Sequence, residues 1–120
     1  MILSAPLRIA DEEKGEMSPN FLHSFLYDMN FGPRWRSGLQ NVQDFDFGSL
    51  NDSIFERARS YYEYRGSFTI PPCSEGVTWV LLKDPLPIQQ IHLDLLQNLQ
   101  GKSNRPLQQL NDRPIFAIPK

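Results

Sequence analysis

The sequence is short of the residues that build metal and redox centres. Of its 120 residues, one is cysteine, Cys73, and two are histidine, His23 and His92. A lone cysteine closes no disulfide within its own chain. It reads as a buried free thiol or as half of a bridge whose partner lies on another segment or chain. The two histidines fall in separate helical patterns, and no His-x-His pair exists. Zinc accepts nitrogen and sulfur donors, so a site of His23, His92 and Cys73 is chemically allowed. The plainer reading of each histidine is a partly exposed helix residue. Charge of one sign is missing too: 12 Lys and Arg against 14 Asp and Glu leave a net charge of −2. That gives no electrostatic footprint for nucleic acid or an anionic surface. The tightest basic group, Arg34 and Arg36 around Trp35, reads as a surface cation–π contact. No apolar run nears the roughly 20 residues of a membrane-spanning helix. Residues 1–9 are apolar, but Pro6 and Arg8 interrupt them and Asp11, Glu12 and Glu13 follow, which makes a poor secretory leader.

What is present is the composition of a folding chain, 40% hydrophobic and 12% aromatic, sized for one domain or part of one. Residues 2–9 read as one buried strand, and a chain that opens directly on a core strand reads as the tail of something longer. Ser18-Pro19 opens a helix, with Ser as cap and Pro at the first helical position. Phe21, Leu22, Phe25, Leu26 and Met29 give that helix one apolar face. Gly32, Pro33 and Gly38 break it. Val42, Phe45, Phe47 and Leu50 suggest short extended or irregular structure, and residues 52–60 a short helical turn. Tyr61, Tyr62 and Tyr64 lead through Gly66 into Ser67-Phe68-Thr69-Ile70, an aromatic and β-branched strand that Pro71-Pro72 stops. Residues 77–82 are nearly all apolar and read as a central strand buried on both faces. A turn over residues 84–87 leads to a helix over 88–99, which Gly101 ends. Residues 115–118 form a short closing strand. The class is α+β, mixed and dominated by strands, with two helices. The long gaps between strands argue against regular βαβ winding.

One stretch is specific enough to carry a family. Residues 61–79 run Tyr61-Tyr62-Glu63-Tyr64-Arg65-Gly66-Ser67-Phe68-Thr69-Ile70-Pro71-Pro72-Cys73-Ser74-Glu75-Gly76-Val77-Thr78-Trp79. They resemble the Tyr-x-Tyr-x-Gly-Ser-Leu-Thr-Thr-Pro-Pro-Cys-x-Glu-x-Val-x-Trp segment of the α-class carbonic anhydrases. Asn104-Arg105-Pro106, Gln108 and Arg113 resemble the family's closing motif, although the family places one more residue between Asn and Arg-Pro. The match is strong over 61–116 and weaker over 1–60.

The resemblance implies that residues 1–120 are the C-terminal portion of the family's large, twisted, mostly antiparallel sheet, with two peripheral helices. It implies a zinc enzyme that hydrates carbon dioxide reversibly to bicarbonate, with zinc held by three histidines that all lie N-terminal to the matched region. Thr69 matches the threonine that orients the zinc-bound hydroxide; a hydroxyl both donates and accepts, so it can select that ligand. Phe68, Ile70, Val77 and Trp79 match the pocket around carbon dioxide. The family's usual Leu is Phe at position 68, and a Thr or smaller residue is Ile at position 70, so the pocket is expected to be tighter and drier. Tyr64 matches a buried tyrosine that braces the site, and Arg105 and Arg113 look structural. Cys73 matches a cysteine that pairs with an N-terminal partner in secreted and membrane-bound members. Its context points to such a branch, and the partner is absent from this sequence.

Two functional expectations follow. The first is a stretch of an active carbonic anhydrase, inactive alone and in need of a complementary chain or N-terminal half. The second is a non-catalytic carbonic anhydrase-related module that binds or scaffolds.

Overall fold

The computed structural model describes residues 1–28, 46–101 and 104–119. Met29, Val42, Phe45 and the trio Arg34, Trp35 and Arg36 lie outside them. The chain divides into two compact units, one of Met1–Pro6, Phe55–Pro85 and Ser103–Lys120, the other of Leu7–Ile54 and Leu86–Lys102.

The first unit is a four-stranded sheet of β1 (Ile2–Ser4), β3 (Tyr61–Ser67), β4 (Glu75–Leu82) and β6 (Ile115–Ile118), in the order β1-β4-β3-β6. β3 runs antiparallel to β4, with Tyr62 opposite Leu81 and Tyr64 opposite Trp79. β6 runs antiparallel to β3, with Tyr64 opposite Ile115. β1 joins β4 in parallel, with Ile2 opposite Trp79. The aromatic and β-branched residues of β3 and β4 suit such a pleated surface. β4 is central, as its apolar run suggests, but only Val77 and Leu82 are fully buried; Thr78, Trp79, Val80 and Leu81 are half-buried. The expected burial on both faces is therefore not found: a strand reaches it only where layers cover both sides. Phe68, Thr69 and Ile70 are not strand. The ladder is disturbed between Gly66 and Ser67, and the chain leaves the sheet there. Lys83 closes the far end: its Nζ donates to the Ile118 carbonyl at 3.2 Å and lies 4.8 Å from the centre of the Tyr62 ring.

The second unit pairs β2 (Leu7–Ile9) in parallel with β5 (Leu86–Ile88) and carries α1 (Asn20–Asp28), α2 (Phe47–Phe55, as far as Ile54) and α3 (Gln90–Gln100). Leu26, Leu86 and Ile88 form its core, and α1 packs on α3. The single strand expected over residues 2–9 is two, broken at Ala5 and Pro6, each with a different partner strand. Pro6 has no N–H to give to a ladder. Residues 86–88, expected as the end of a turn and the start of a helix, pair with β2 instead. A third helix, α2, occupies residues expected to be extended or irregular, and the helical turn expected over 52–60 lies at its end. Its start is set by Asp46, whose Oδ1 accepts the Ser49 N–H at 2.8 Å, an N-cap bond. Gly101 ends α3 as expected, donating its N–H to the Gln97 carbonyl at 2.8 Å. No helix among the described residues is long and apolar enough to cross a membrane.

Candidate functional site

The site grows from one aromatic pair in the first unit. Tyr64 and Trp79 face each other across β3 and β4, ring centres 6.4 Å apart and planes 8° from parallel. The indole extends over Gly66, where a Cβ would stand 2.9 Å from Trp79 Cδ1. Only glycine leaves room for it. The indole Nε1–H then donates to the Ser67 carbonyl at 3.0 Å. A bulge takes a carbonyl out of the ladder, and this bond satisfies one that would otherwise lack a partner.

The loop beyond is pinned by its backbone. Phe68 N–H donates to the Ser74 carbonyl at 3.0 Å, and Cys73 N–H to the Ile70 carbonyl at 2.9 Å. The Pro71-Pro72 bond is cis, and Cys73 takes a left-handed φ of 56°. Thr69 stands in this loop, exposed, and lines a cleft of about 460 Å³ together with Tyr64, Gly66 and Trp79. The other wall comes from the 105–115 segment, with Leu107, Leu110 and Ile115 giving it apolar character. Arg113 holds that segment by donating to the carbonyls of Leu110, Arg65 and Gln109 at 2.8, 2.9 and 2.9 Å. The cleft thus gathers Thr69, Trp79 and Tyr64. Phe68 and Ile70 flank Thr69 but are 47% and 70% exposed and do not line the cleft, and Val77 is buried opposite Gly66. Gly66, Arg105 and Leu107 were not expected at the site. Gly66 was visible within the Gly-Ser motif, but no periodicity shows that an indole crosses it.

The histidines lie in the second unit. His23 is exposed on α1. His92, expected to be partly exposed, is 2% exposed, because α3 turns it inward against α1. The two rings meet edge to face at 5.4 Å. Ser18 Oγ accepts the Gln89 N–H at 2.8 Å and lies 2.6 Å from His92 Nδ1. Ser18 therefore caps the start of α3, a helix other than the one it precedes. Burial, and secondly the charge of His23, hold the His92 pKa below its ordinary value. Ser18 Oγ and His92 Nδ1 share one hydrogen bond, whose direction is set by the tautomer of the ring. Cys73 belongs to the first unit and is a free, half-buried thiol. Among the described residues, no three His, Cys, Asp or Glu side chains gather as a metal cluster.

The family model for eukaryotic-type carbonic anhydrase matches residues 26–119. The chain belongs to the carbonic anhydrase family. A putative carbonic anhydrase 3 of Caenorhabditis elegans is 38% identical over 76 residues, covering 58% of this chain and 31% of that protein. The human carbonic anhydrase-related protein is 41% identical over 75 residues, covering 49% of this chain and 26% of that protein. The chain thus spans a third or less of these curated relatives. Its fold matches the α-carbonic anhydrase of Thermovibrio ammonificans, solved with the inhibitor sulfanilamide, with a TM-score of 0.68 and 29% identity over 94% of this chain and 45% of that one. The mixed, sheet-dominated architecture is therefore that of the α-carbonic anhydrases.

The zinc of the family is tested against the donors present. A set of three neutral imidazoles is more than the two histidines of this sequence provide. His92 Nδ1 is already engaged by Ser18. These residues do not fit that ion.

Proposed function

We propose that residues 1–120 are the C-terminal portion of an α-carbonic anhydrase domain, supplying the loop and wall beside the reacting centre, and that alone they neither hold zinc nor hydrate carbon dioxide. The observation that carries this reading is Thr69, on a loop pinned by the Trp79–Ser67 bond and lining a cleft with the stacked Tyr64 and Trp79. The Thr69 hydroxyl both donates and accepts, so it can orient an oxygen beside it. Trp79 offers apolar surface to a substrate that forms no strong hydrogen bonds, and Val77 lies buried behind it. Phe68 and Ile70, bulkier than their family counterparts, flank Thr69 without lining the cleft, and Tyr64 braces the wall. Cys73, half-buried, is the thiol for a disulfide to an N-terminal partner, as in the secreted and membrane-associated branch.

A second reading, a non-catalytic binding or scaffold module, is favoured by the 41% identity to the human carbonic anhydrase-related protein and by Phe68 and Ile70. Zinc analysis and carbon dioxide hydration assays on the purified chain test the main reading. The expected result is no stoichiometric zinc and hydration at the uncatalysed rate; stoichiometric zinc with activity would overturn it and return His23 and His92 to candidacy. Transcript sequence upstream of Met1 separates the two readings, since a His-x-His strand there supports the enzyme and other residues support the module.

A further inference from the structure

A second cleft of about 500 Å³ adjoins the first and has the opposite character. Three guanidinium groups line it, those of Arg65, Arg105 and Arg113, against one carboxylate, Glu75. Among the described residues, no ion pair is found for any of the three arginines. Arg113 is held by its three carbonyls, which leaves two of its five N–H groups for another acceptor. Arg65 and Arg105 are exposed and reach only weak acceptors, the Gly76 carbonyl at 3.5 Å and Ser67 Oγ at 3.4 Å. Bonds that long leave their forks free. Concentrated positive charge without internal partners is a design for an anion, and guanidinium forks match tetrahedral oxyanions in geometry.

We propose that this cleft binds a phosphate group. Three cations suit a doubly charged oxyanion, and Glu75 selects among such ions. Monohydrogen phosphate carries a proton that it can donate to the Glu75 carboxylate. Sulfate has none at neutral pH and is repelled. A phosphomonoester dianion has lost that proton at neutral pH, so the site favours the free ion. The site shares Gly66, Ser67, Arg105, Gln108 and Arg113 with the first cleft but calls on neither zinc nor carbon dioxide.

Cys73 lines the same cleft and reports on it. The test is the rate of Cys73 alkylation by iodoacetamide in the full chain, at constant ionic strength so that screening does not vary. Phosphate, phenyl phosphate and sulfate are titrated in turn, with a urea-denatured control. Phosphate is expected to protect Cys73 saturably in the folded chain and not in urea, and sulfate to protect far less. Phenyl phosphate, a dianion without that proton at neutral pH, is expected to protect no better than sulfate, and protection equal to that by inorganic phosphate would overturn the proposal. Arg65→Gln and Arg105→Gln are each expected to raise the half-protecting concentration at least about tenfold. Both side chains are exposed, so the fold should survive their loss. Absence of protection, equal protection by sulfate, or protection unchanged in both variants would overturn the proposal.

Discussion

The two units solve the same problem with different chemistry. Each must satisfy polar backbone groups where its regular structure stops. The sheet unit uses donors that do not titrate near neutral pH: the Trp79 indole on Ser67, and the Arg113 guanidinium on three carbonyls. The helical unit uses groups that titrate between neutral and acid pH. His92 completes Ser18 at the start of α3. Glu16 accepts both guanidinium nitrogens of Arg8 at 2.6 Å and the Asp11 N–H at 2.8 Å. Those bonds hold its pKa down at about 2. One unit is fastened in a way indifferent to pH, and the other is not.

The comparison breaks most sharply at Gly66. Gly66→Ala puts a methyl group into the Trp79 ring and is expected to cost about 1–3 kcal/mol. Segment-resolved hydrogen exchange should show lost protection in β3, β4 and β6, with α3 unchanged. Equal loss in α3 would mean that the two units unfold as one.

Ser18→Ala is the counterpart in the helical unit. It strips the Gln89 N–H and His92 Nδ1 of their partner at a buried position and is expected to cost about 1–2 kcal/mol, read as weakened protection at the start of α3. Unchanged exchange there would show that water replaces the hydroxyl.

Acidification is the mildest probe. The folded chain protonates His92 only below its ordinary pKa of 6.5, so it binds fewer protons there than the unfolded chain does. The stability contributed by neutral His92 is complete above pH 6.5 and drains as pH falls below it. Glu16 adds a second window, its contribution present above 4.5 and lost toward about 2. Protection, corrected for the intrinsic exchange rate, should fall in α3 as pH drops below 6.5, before it falls in β4.

Much of the sheet was legible because its signals are local. The aromatic run of β3, the apolar run of β4 and the closing residues 115–118 each announce a strand, and the Gly-Ser-x-Thr-x-Pro-Pro-Cys spacing places Thr69. The helices α1 and α3 were visible from periodicity. What stayed hidden depends on distant partners. Nothing between residues 2 and 9 shows that the halves of that segment join different sheets. Leu86 becomes strand only because Leu7 lies beside it. His92 is buried because Ser18, far away in sequence, needs it. Asp46 did hold a local signal for α2, an acceptor three residues before Ser49, but the extended or irregular reading of Phe47 and Leu50 masked it.

The pairing of β1 with β4 and of β2 with β5 sets an order of events in time. Each joins residues more than seventy positions apart, and closing so long a loop costs entropy before any contact repays it. The hairpin of β3 and β4 can form from neighbours, whereas residues 2–9 must wait. On a ribosome adding about 5–20 residues per second, their partner strands emerge roughly 4–16 s later. Through that interval Ile2, Leu3, Leu7 and Ile9 stand without strand partners, a window in which a chaperone or a stray edge competes for them.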